Sequence, residues 1–122
     1  MIDLAVCALG GALGSLLRYA GGRIVARYTS RSYLATLAIN LTGAMLLGLL
    51  FGLGLQLRLP QMYLFAATGV LGGYTTYSTF MVQSVLMAQE RKLPLVAGYL
   101  LLTCGGGLLL CWAGYLCGVL LT

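Results

Sequence analysis

From Gly69 to Phe80 the sequence reads Gly-Val-Leu-Gly-Gly-Tyr-Thr-Thr-Tyr-Ser-Thr-Phe. Three glycines, four small hydroxyl residues and three aromatic rings fall inside an apolar run long enough to cross a membrane. A lipid-facing helix has no use for that mixture. Polar groups and pliable backbone at membrane depth are tolerated only where protein buries them or a wet cavity meets them. The stretch is therefore expected to break a membrane helix and touch a bound or permeating species. Carbonyls released at Gly72 and Gly73 can coordinate a cation, as unwound segments do in transporters. The amide end of the following half-helix favours an anion, and Ser78 and Thr79 add hydroxyl donors. Tyr77 and Phe80 are three apart, so both rings are expected on one side of the second half-helix. Ring edges are electropositive and can meet an anion, although a pair at that spacing also fits plain packing.

Other polar side chains fall at helical spacing in neighbouring apolar runs. Thr36 and Asn40 are four apart and share a face. A buried Asn amide without partners costs a few kcal/mol, so Asn40 must clamp a neighbouring helix or meet a polar substrate. Thr42 points elsewhere and can bond its own preceding turn. Tyr99 and Thr103 make a second stripe, and Gln83 lies one turn beyond Thr79. Arg18 lies near the end of the first apolar run, where it can snorkel to the headgroups or draw anions into a wet vestibule. Tyr28, Tyr33, Tyr63 and Tyr115 fit an interfacial belt.

The elements that must position these groups follow from composition. Of the 122 residues 61% are hydrophobic and 7% charged, with two acids and no His, where a soluble domain carries about 25% charged residues. The chain reads as an all-α integral membrane protein forming one membrane domain over residues 1–122. Four runs, at about 4–20, 33–55, 62–88 and 95–121, each approach the roughly 20 residues needed to span a bilayer. The first run reads as a retained helix. Pairs such as Gly10/Gly14, Gly48/Gly52, Gly69/Gly73 and Gly114/Gly118 let helix backbones approach closely. Four helices enclose little interior, so oligomerisation is expected to complete any pathway. Cys7, Cys104, Cys111 and Cys117 lie in apolar runs without Cys-x-x-Cys spacing and read as packing residues. Without His or a carboxylate cluster, metalloenzyme and general acid/base chemistry are excluded. The net charge of +5 sits at segment ends and speaks for topology and anion attraction rather than nucleic acid.

Four features in order carry a resemblance: Gly10-Gly11-x-x-Gly14 with Arg18-Tyr19; Thr36-Leu37-x-x-Asn40; Gly72-Gly73-x-Thr75-Thr76-x-Ser78-Thr79-Phe80; and Tyr99-x-x-x-Thr103. The third is the specific one. With length and span number, the chain resembles the Fluc (CrcB) family of fluoride channels over nearly its whole length. The resemblance implies passive fluoride leak across the bacterial inner membrane, conferring fluoride resistance. It implies an antiparallel, dual-topology dimer with two pores along its interface. Asn40 would be a pore-lining donor and Tyr77 and Phe80 the paired rings. Ser78 and Thr79 would add hydroxyl donors, with Tyr99 and Thr103 in a polar track. Gly72 and Thr75 would give carbonyls to a central structural Na⁺ shared between subunits, and Arg18 matches a vestibule arginine.

Two departures matter. The family usually has Phe where this chain has Tyr77, and Ser where it has Thr103. Also, Arg18, Arg23, Arg27, Arg31, Arg91 and Lys92 lie toward one side and only Arg58 toward the other, a bias placing both termini outside the cytoplasm. A homodimer is the expected assembly, with a heterodimer of this chain and a paralogous one as the alternative. The competing function is a small proton-coupled multidrug exporter. It requires a titratable group within the membrane, and the only acids, Asp3 and Glu90, lie at segment ends.

Overall fold

The apolar runs all become helix. In the computed structural model, which describes residues 1–122, α1 covers Ile2–Val25, α2 Ser32–Gly52 and α3 the short turn Leu55–Arg58. Helix α4 runs over residues 60–74, α5 over Ser78–Gln89, and α6 over Leu93–Leu120. Three of these, α1, α2 and α6, are each long and apolar enough to cross a membrane, while α4 and α5 together form an interrupted apolar segment. No strand is present.

The ends follow local chemistry. Helix α2 stops where Gly54 takes a left-handed conformation (φ 66°), the usual glycine device past a helix C-terminus. Pro60 and Pro94 stand in the first turns of α4 and α6, where a missing N–H costs nothing. Helix α1 continues to Val25, so Arg23 belongs to its last turn rather than to the connection expected after residue 20.

Packing is governed by glycine. Gly10 and Gly14 of α1 lie against the backbone of α4, and Gly69 and Gly73 answer from the other side. A Cβ at Gly10 would stand 2.9 Å from Gly69 Cα, and one at Gly114 would stand 3.0 Å from the Leu49 amide. Gly48, Gly52, Gly114 and Gly118 thus join α2 to α6 at backbone contact, the small-residue packing that replaces hydrophobic burial in lipid. Only 16 of 122 residues are buried. The large apolar side chains that face outward are mostly Leu, Ile, Met and Val, a surface suited to lipid or to another copy rather than to water.

Two stretches depart from α geometry. Leu64–Leu71 within α4 and Leu102–Gly106 within α6 are π-helical. Such wide turns gather at functional sites, and one precedes the break while the other holds Thr103.

Candidate functional site

The interruption falls at Thr75–Tyr77, not at the glycines. Gly72 and Gly73 remain helical, which corrects the expectation that they release the backbone. Gly73 serves close packing instead, against Gly11 of α1. At Thr75 the chain becomes extended (φ −76°, ψ 161°).

Asn40 holds the break open. Its Nδ2 donates to the Thr76 carbonyl at 2.9 Å and its Oδ1 accepts the Thr76 N–H at 2.9 Å. In a continuous helix that N–H would bond the carbonyl of Gly72. The side chain of α2 therefore takes over two backbone groups that the helical ladder gives up. Of the two roles weighed for Asn40, the interhelical clamp is present in the geometry, and the second N–H of the amide stays free of a protein partner. The Thr76 hydroxyl closes the turn locally: it accepts the Thr79 N–H at 3.3 Å and donates to Thr79 Oγ1 at 3.0 Å. Ser78 Oγ lies 3.4 Å from the same hydroxyl. Thr42 bonds its own preceding turn, to Ala38 at 2.8 Å, and also meets the Tyr74 hydroxyl at 3.0 Å.

The rings form a chain. Phe80 is 4% and Tyr99 3% exposed. Their centroids are 5.2 Å apart, edge to face, and Tyr33 adds a third ring edge-on to Tyr99 at 5.7 Å. The Tyr99 hydroxyl donates to Gln83 Oε1 at 2.8 Å. Tyr77 lies 6.0 Å from Phe80 but is 74% exposed. The two rings are neighbours, as their spacing predicts, and both line one groove, Phe80 packed into the fold and Tyr77 exposed. Tyr77 occupies the N-cap position, one residue ahead of the half-helix, and its side chain makes no capping hydrogen bond.

Two recesses meet this layer. A groove of about 410 Å³ is lined by Asn40, Gly72, Thr75, Thr76, Phe80 and Thr103, among others. A second, of about 340 Å³, is polar and includes Arg31, Thr36 and Gln83. Phe80 lines the first and Gln83 the second, and Tyr99 packs against Phe80 and bonds Gln83. Thr103 Oγ1 is buried and has no hydrogen-bond partner, an arrangement that costs about 1–3 kcal/mol unless something in the groove satisfies it.

Arg18 reaches the break from α1. Gly10, Gly14 and Arg18 fall on one face of α1 at intervals of four. The glycine contacts bring that face against α4, so Arg18 Nη1 reaches the Thr75 carbonyl at 3.3 Å.

The site thus gathers an amide, hydroxyls, ring edges and loosened carbonyls, with no group of His, Cys, Asp or Glu able to hold a metal. A family model described as "CrcB-like protein, Camphor Resistance (CrcB)" matches residues 5–115. The chain belongs to the CrcB family. A relative in Pseudomonas putida strain F1, named "Fluoride-specific ion channel FluC", is 42% identical over 114 residues, 91% of this chain and 92% of that protein. One of that name in Gloeobacter violaceus is 40% identical over 111 residues, 88% of this chain and 89% of its own length. "Fluoride-specific ion channel FluC 2" of Lactobacillus johnsonii is 39% identical over 122 residues, 99% and 100% of the two chains. This CrcB chain is a multi-pass membrane protein and not an enzyme.

Sequence reasoning undervalued three residues of this polar and aromatic layer. Thr76 supplies the backbone groups that Asn40 holds, and its only sequence signal is its place between Thr75 and Tyr77. Gln83 reads as an extension of a polar face but is the partner of Tyr99. Tyr33 reads as a belt residue, and the edge contact to Tyr99 was not legible because it depends on how α2 meets α6.

Proposed function

We propose that this chain conducts fluoride passively and selectively across the bacterial inner membrane, so that the ion leaks out of the cell down its electrochemical gradient. The observation that carries the reading is the buried, unpartnered hydroxyl of Thr103 in a groove shared with Asn40, Thr76 and Phe80. The names of the relatives point to the same ion. Fluoride is small and strongly hydrated, so a pore must replace its shell with close donors and still let it leave. Asn40, Thr103, Ser78, Thr79 and Tyr99 would supply N–H and O–H donors, and Phe80 and Tyr77 ring edges. Arg18 would contribute attraction at the entrance.

The groove is open, with Gly72 and Tyr77 of its lining exposed, and the next residues along the chain, Ser78 and Thr79, are exposed too. A second, antiparallel copy of the chain would close it and create two equivalent pores. Gly72 has nothing within 4 Å of the place a Cβ would occupy, which leaves its backbone open to close approach by that copy. Two carbonyls per chain, at Gly72 and Thr75, are too few to enclose a hard cation, which takes oxygen ligands on several sides. A second copy doubles the set, and the lost rung at Gly72 leaves that oxygen in want of a partner. On this reading Gly72 and Thr75 hold a structural Na⁺, which when bound supplies positive charge that offsets repulsion among the carbonyls. A heterodimer with a paralogous chain is favoured over a homodimer only to the extent that basic residues crowd one side.

The exporter reading lacks its essential group. Asp3 lies in the first turn of α1. Glu90 pairs with Lys92 at 2.6 Å at the exposed end of α5.

Growth of a fluoride-sensitive bacterium tests the proposal. Expression of this chain should restore growth in fluoride medium, and the Phe80→Ile chain should not. Equal growth with the wild-type chain and with empty vector would sink it.

A further inference from the structure

Arg18 is the one charged side chain that reaches the break, and it comes without a counter-ion. Its only hydrogen bond is to the Thr75 carbonyl at 3.3 Å, and both acids lie elsewhere, Asp3 in the first turn of α1 and Glu90 against Lys92. A guanidinium carries its charge at every accessible pH and offers a rigid fork of donors. Here that fork meets a neutral dipole already turned out of the helix by the extended conformation of Thr75.

The Thr75 carbonyl is also one of the two oxygens assigned above to sodium. From this coincidence we infer that Arg18 and a small monovalent cation compete for the Thr75 carbonyl, so that filling the cation site frees Arg18 from the break. The inference rests on the sodium reading and adds to it a named competitor within the chain. A carbonyl has two lone pairs and could accept both partners by geometry alone. Charge forbids it: two unit charges sharing one oxygen repel strongly enough, even at an effective dielectric constant of about 20, to shift an affinity by tenfold or more. Arg18 stands seven residues before the end of α1 at Val25, within snorkelling reach of the headgroups. Cation occupancy and the positive charge available to an entering anion would then rise together. An empty break would keep the arginine latched, and a filled one would release it.

Cation-dependent stability tests this without reference to flux. The purified protein and Arg18→Gln are unfolded by heat in fluoride-free detergent solution while Na⁺ replaces N-methyl-D-glucamine. A ligand that binds only the folded state raises the unfolding temperature as it saturates. The expected result is that Arg18→Gln reaches half its stabilisation at about tenfold or more lower Na⁺ than the wild type. Equal midpoints would overturn the competition and leave the cation site standing. No Na⁺ dependence in either protein would overturn both. A second measurement needs no variant: phenylglyoxal labelling of Arg18, read by mass spectrometry against Arg23 and Arg27. Na⁺ should raise Arg18 labelling severalfold, and an unchanged ratio would contradict the inference.

Discussion

Asn40 keeps the interrupted segment interrupted. Its amide holds both the N–H and the C=O of Thr76 at 2.9 Å, so its removal orphans two half-buried backbone groups. Asn40→Val should lower unfolding stability by roughly 2–5 kcal/mol, the cost of two such groups left unpaired, as measured by denaturant titration in mixed micelles. Thr103 should behave in the opposite way. Its hydroxyl has no partner in the protein, and exchanging an unsatisfied polar group for an apolar one of the same shape is close to neutral. Thr103→Val should therefore leave stability unchanged or raise it by up to about 1–3 kcal/mol while reducing fluoride flux. A large stability loss would mean that the hydroxyl has a structural partner. The rings divide similarly. Phe80 is packed and Tyr77 exposed, so Tyr77→Phe should keep or raise fluoride flux, and Phe80→Ile should lower it by about tenfold or more if ring edges line the path. Full flux through Phe80→Ile in liposomes would refute the ring assignment.

At the level of elements, close helix approach decides what glycine can become. Gly114 faces the Met45 and Leu49 backbone, whereas Gly98 has open space where a Cβ would go. Gly114→Ala should cost about 1–3 kcal/mol through overpacking and Gly98→Ala little, a contrast readable in the same denaturant titration. These contacts show what the sequence disclosed and what it withheld. The all-helical character, the apolar runs and the small-residue pairs were legible, because hydropathy and glycine spacing are local signals. The break was legible as an event but misplaced by about three residues. Gly72 and Gly73 advertise a weak helix, yet the turn is opened by Asn40, 36 positions away, and no local pattern reports a partner at that distance. The π-helical turns around Leu64–Leu71 and Leu102–Gly106 had no periodic signature. Arg18 was recognisable as a charge near the end of a span, but its contact with Thr75 depends on the depth at which Gly10 and Gly14 let α1 settle.

The whole molecule has a surface that a single chain leaves unfinished. The polar face of Tyr77, Ser78 and Thr79 is exposed beside Leu, Met and Val side chains, and a bilayer would not accept those hydroxyls without a partner. An antiparallel pair predicts that a cysteine tag at the C-terminus is labelled by an impermeant maleimide from both sides of the membrane. Labelling from one side alone would point to pairing with a paralogous chain of opposite charge bias. The central claim is that donors and ring edges in an acid-free bundle draw fluoride out of water and pass it. Fluoride-electrode recording of efflux from proteoliposomes, with chloride as control, tests it most directly. The account predicts rapid fluoride release with chloride retained. Vesicles no leakier to fluoride than empty lipid, with Na⁺ present on both sides, would contradict it.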